Sequence, residues 1–217
     1  MVKNNAYIAI IVGIFSAISL YKWYISYTSP TYDFPVNLNG NKELPVVIVF
    51  PAMGGEPATI SQDIVGVDAI IIRFHEPRYT FPTFSATLHR AEHQVESELS
   101  MLHSRYRIDT SKIVCCGFSL GGDVAFALAI RRRIPITHAL IMGSRCTYRL
   151  QELTPKVIST KFAFIVGAND ERITQHNLAV DYLTLQNCDV SRKVIPGLSH
   201  TVPKIADIQK AFVSLMK

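Results

Sequence analysis

The chain has 217 residues, enough for one domain with a substantial core and marginal for two. Hydrophobic residues make up 48% and charged residues 18%, which excludes a disordered chain. Net charge is +5, from 22 basic and 17 acidic residues, but no basic stripe with interleaved aromatics points to nucleic acid.

Residues 6–20 read AYIAIIVGIFSAISL, without a charge, and Tyr21, Lys22, Trp23, Tyr24 and Tyr27 follow. An uncharged run of this length is short for a spanning helix, which needs about 20 residues. Extended to Tyr27 it reaches that length, with Lys22 free to snorkel and the aromatics suited to an interface. Residues 1–27 are therefore expected to be a membrane anchor. A cleaved signal peptide and a helix packed on the domain are the competing readings, although no A-x-A site follows the apolar run. Residues 28–43, with Pro30, Pro35, Asn37, Asn39 and Gly40, read as a linker.

From 44 onward, strand and helix patterns alternate. Apolar, β-branched runs at 44–50, 68–74, 112–116, 137–142 and 161–166 and a short run at 192–195 predict about six strands. Helical spacing covers 85–106, 120–133, 171–187 and 204–216. Near-continuous apolar strands separated by helices imply an open α/β domain over 44–217, with a mostly parallel sheet covered on both faces. Ligands then bind beyond the carboxyl ends of the strands.

One stretch stands out, CCGFSLGGD at 115–123. Ser119 lies between a predicted strand and a predicted helix. A nucleophile there projects from a sharp, strained turn where strand and helix pass close together. Side chains two positions to either side would collide, which accounts for Gly117 and Gly121. The helix N-terminus also favours developing negative charge. The bland alternative is a glycine-rich turn whose serine caps the helix.

A serine hydroxyl needs a base, and the base needs an acid to orient it. His200, in PGLSHTVP, follows the last short strand. Asp170, in VGANDERI, follows the strand ending at Val166. The order Ser119, Asp170, His200 suits this architecture. Asn169 lacks the charge, and Asp123 is expected to face solvent or cap its helix. The oxyanion of an acyl intermediate needs two preorganised donors. The Leu120 amide is one candidate, and the loop FPAMGGEP supplies the other at Met53, with Gly54 next. His75, at a strand end, and Arg78 are candidates for lining the substrate. His89 and His93 lie four apart but have no third ligand and no HExxH pattern, so a solvated face is the reading. His103, His138 and His176 read as structural or exposed. The four cysteines show no metal spacing and read as small buried hydrophobes.

Together GFSLGG, VFPAMGG, GANDERI and GLSH resemble the α/β-hydrolase superfamily, in particular its small carboxylesterases, acyl-thioesterases and dienelactone hydrolases. The resemblance runs from about Leu44 to the C-terminus. It implies an acyl-serine mechanism on an ester or thioester, or on the acylated end of a larger molecule, with no metal and no cofactor. The chain departs from that pattern in three ways. Pro51 and Ala52 stand where many members have His-Gly. The elbow carries serine, where dienelactone hydrolases carry cysteine. No room is expected for the early antiparallel strands of larger members. The connection after residue 142 is too short for a large cap, so an open site suited to short acyl groups is expected, partly roofed by 75–84. A peptidase or amidase, and a membrane-tethered interaction protein on a retired hydrolase fold, are the rival functions.

Overall fold

The computed structural model describes residues 13–14, 16–20, 29–38, 42–55, 57–75, 84–148 and 159–217. Seven strands form one sheet: β1 (Thr31–Asp33), β2 (Leu44–Phe50), β3 (Ile70–Arg73), β4 (Ile108–Phe118), β5 (His138–Met142), β6 (Lys161–Gly167) and β7 (Val190–Ile195). Their order is β1-β3-β2-β4-β5-β6-β7. Every pair is parallel except β1 with β3. The helices that pack on the sheet are α1 (Gln62–Val65), α2 (Phe84–Arg105), α3 (Leu120–Arg131), α4 (Ile173–Leu185) and α5 (Ile205–Leu215).

Alternation along each strand divides the core in two. Val46, Ile48, Phe50, Ile113 and Cys115 face α2, α3 and α4. Val47, Val49, Val114 and Cys116 face α1 and α5. The adjacent cysteines therefore belong to opposite layers, because successive side chains leave a strand on opposite faces. All seven residues of β2 are buried, as expected of a strand covered on both sides. At the edge, β7 is only partly covered and leaves Ser191, Arg192 and Val194 exposed.

The sheet has one strand more than expected. Thr31–Asp33, within the expected linker, pairs antiparallel with β3, so there is room for an early antiparallel strand after all. Three residues between proline-rich flanks carry no readable alternation. Tertiary contacts hold them: Arg73 pairs with Asp33 at 3.1 Å, and Tyr32 stacks on Phe34.

Most of the expected anchor lies outside the described residues. Residues 13–14 and 16–20 are helical, and Ile14, Ile18 and Leu20 are exposed rather than packed. Among the described residues no helix is long and apolar enough to cross a membrane, so the transmembrane expectation gains no support here.

Candidate active site

Strand β3 lies on one side of β2 and strands β4 to β7 on the other, so the chain changes direction across the sheet between β2 and β4. The crevice beyond the carboxyl ends at such a point is where open α/β sheets bind ligands. Ser119 stands there alone between β4 and α3, at φ 56° and ψ −121°. A non-glycine residue at positive φ is strained and persists only where its surroundings impose it. Three glycines impose it. A Cβ on Gly117 would lie 2.3 Å from the Gly121 carbonyl carbon, and one on Gly121 would lie 2.4 Å from the Phe50 carbonyl oxygen. A Cβ on Gly122 would lie 1.9 Å from Ser144 Oγ, a constraint the sequence pattern did not single out.

The Ser119 side chain makes no cap hydrogen bond to α3, which removes the capping alternative. Its Oγ lies 3.1 Å from His200 Nε2. His200 Nδ1 lies 2.8 Å from Asp170 Oδ2. A carboxylate can only accept, so Nδ1 carries the hydrogen and Nε2 presents its lone pair to the serine. Asp170 is buried, and its Oδ1 accepts the Arg172 amide at 2.9 Å. The His200 loop is held from below by Asn169, whose amide donates to Leu198 O at 2.9 Å. Phe118 stacks on the imidazole at 4.8 Å between centroids, a contact with no signature in the sequence.

Leu120 is the first residue of α3, so its amide has no intrahelical acceptor. Met53 lies in the loop after β2 and is 69% exposed. That loop turns at Ala52–Gly55, closed by a 3.0 Å backbone hydrogen bond, with Gly54 at φ 105°. Its first residue, Pro51, is pressed against the elbow, because a Gly121 Cβ would lie 2.7 Å from Pro51 O. His75 is at the sheet edge, where Nε2 lies 3.3 Å from Thr31 Oγ1. Arg78 and residues 76–83 of the expected roof lie outside the described residues.

Two departures from expectation surround these three residues. Asp123 is buried rather than solvent-facing, and its Oδ1 accepts the Cys146 amide at 2.8 Å. Burial pushes its carboxyl above the usual carboxylate range. Arg172, which sequence reasoning passed over, points into the site. Its Nη1 donates to Ser119 Oγ at 3.1 Å and also lies against both ring nitrogens of His200. Burial, and then the neighbouring Arg145, pull its pKa below the usual arginine value. The available signal was a cation two residues past the acid, in the acid's own turn.

No protein-family model matches the sequence. No curated protein matches it either. Solved structures do. The ferulic acid esterase from Anaeromyces mucronatus, determined with ferulic acid, is similar with a TM-score of 0.70 and 14% identity, over 86% of this chain and 82% of that one. Esterase PE8 is similar with a TM-score of 0.63 and 14% identity, over 85% and 97%. The dipeptidyl peptidase 4 of Porphyromonas gingivalis has a TM-score of 0.62 and 9% identity, over 86% of this chain and 33% of that one. Likeness at these identities is a likeness of fold, and the fold that this chain shares with them is that of the α/β hydrolases.

Proposed function

We propose that the protein is a serine hydrolase that cleaves carboxylic esters or thioesters through an acyl-Ser119 intermediate. The observation that carries this reading is the hydrogen-bonded series Asp170, His200, Ser119, at 2.8 and 3.1 Å, with the serine on a strained elbow. Ser119 Oγ attacks the scissile carbonyl carbon while His200 Nε2 takes its proton. Asp170 holds the Nδ1–H tautomer and stabilises the imidazolium. The carbonyl oxygen becomes an oxyanion, which the Leu120 amide and a donor from the Met53–Gly54 loop are suited to receive. Collapse expels the alcohol or thiol, protonated by His200. Water, deprotonated by the same imidazole, then releases the acid and restores the serine. Small esters of short acyl chains are the favoured substrates on this reading. Residues 1–27, on their apolar composition, act as the tether to a membrane.

Labelling of the purified protein with a fluorophosphonate, followed by turnover of p-nitrophenyl esters, tests the chemistry. Ser119→Ala is expected to abolish both, and His200→Ala to be nearly as severe, because the two act as a unit. Wild-type esterase turnover by Ser119→Ala would refute the assignment.

A further inference from the structure

Arg172 is an under-compensated cation placed against the reacting atoms. Its side chain is 12% exposed, and Nε is buried without a hydrogen-bond partner. Its ion pair among the described residues is with Glu171, at 3.8 Å, and the Glu171 side chain is 74% exposed. Such a pair contributes little, whereas a cation withdrawn from water needs close, hydrogen-bonded compensation. Asp170 attracts it through space, but its two oxygens accept from His200 Nδ1 and the Arg172 amide rather than from the guanidinium. Arg145 adds repulsion, and Asp123 attracts only through an oxygen already bonded to the Cys146 amide and another that has no hydrogen-bond partner. Arg172 is also the N-cap of α4, the helix end at which a positive charge is disfavoured. Among the described residues these carboxylates attract the guanidinium without a direct hydrogen bond to it. Its Nη1 reaches the nucleophile and both nitrogens of the base.

We propose that Arg172 is a specificity-determining residue that receives an anionic oxygen group, a carboxylate or phosphate, borne by the substrate within two or three bonds of the scissile carbonyl. This rests on the serine hydrolase reading and narrows it. A planar guanidinium offers paired donors that match such a group, and the substrate would supply the compensation that the protein lacks.

The test compares monomethyl succinate with methyl pentanoate, and acetylglycolate with propyl acetate, so that the carboxylate is carried on the acyl side or on the alcohol side. Wild-type kcat/KM is expected to favour the anionic member of at least one pair by about tenfold to a hundredfold, the range of a hydrogen bond to a charged group. In Arg172→Gln that ratio should fall by about tenfold or more, and Arg172→Lys should recover part of it. A merely structural role would lower both members of a pair together and leave the ratio unchanged. Wild-type ratios near one in both pairs, or a ratio unmoved in Arg172→Gln, would overturn the inference while leaving the hydrolase intact. Turnover of every ester no faster than in Ser119→Ala would instead remove the hydrolase reading, and this inference with it.

Discussion

His176 is fully buried on α4, with its ring edge-on to Phe164 at 5.1 Å. Its Nδ1 donates to the Ser144 carbonyl at 3.0 Å, and Nε2 is buried without a partner. A proton added at Nε2 would find no acceptor, and burial lowers the pKa from 6.5 to about 4. The folded state therefore binds fewer protons than the unfolded chain between these values. Stability is unaffected above pH 6.5 and falls as pH drops toward 4, by up to about 3 kcal/mol from this group. Urea unfolding of the wild type and His176→Gln at pH 7 and 4.5 checks this: the wild type should lose more, and equal losses would refute it. The convergence of Ser119, Asp170 and His200 was legible because the proposed chemistry demands fixed residue types after particular strands. Arg172 and Phe118 were not, because an arginine in a turn and a phenylalanine at a strand end have many commoner uses. Asp123 was misread for a related reason: the short connection after β5 that buries it has no periodicity to announce it.

Between α2 and α3, Glu92 and Arg131 form a pair whose side chains are 6% and 11% exposed. Arg131 Nη2 donates to Glu92 Oε2 at 3.0 Å, and Nη1 donates to Tyr148 Oη at 2.5 Å. Removing one partner of a buried pair leaves the other charge uncompensated, at a cost of about 3 to 5 kcal/mol. Glu92→Ala should therefore lower the urea midpoint strongly, whereas Glu92→Leu combined with Arg131→Leu should lose much less. Equal losses in the single and double variants would mean that charge compensation is not what the pair supplies. The strands that lie between two helical layers were legible from their unbroken apolar runs. β4 was found only over 112–116, because its first half, beginning at Ile108, is mostly polar and exposes Thr110 and Ser111. β7 was recovered short for the same reason, since an edge strand keeps its polar residues.

At the scale of the whole molecule, one sheet positions all three members of the proposed triad, and the described residues among 1–27 contribute to none of its strands. Deleting 1–27 should yield a soluble protein with similar turnover of a small soluble ester, while the full chain should resist carbonate extraction from membranes. A soluble full chain together with an aggregating truncation would reject the tether. The domain's α/β character was legible from the alternation of runs, but its first strand was not, and that strand sets how the chain enters. Because β1 runs antiparallel to β3, Thr31 lies beside Arg73, at the carboxyl edge that also carries Ser119. From residue 27 to Thr31 the chain makes four steps, which reach at most about 14 Å whatever their path. Three strand spacings, about 14 Å, separate β1 from β4. On the tether proposed above, the leash is short and fastened at the carboxyl edge of the sheet, which would hold the proposed site close to the anchoring surface. Lengthening it with ten glycine and serine residues after Tyr27 should leave a soluble ester's turnover unchanged and slow the cleavage of an ester embedded in vesicles, because the site would then sample a larger volume away from that surface.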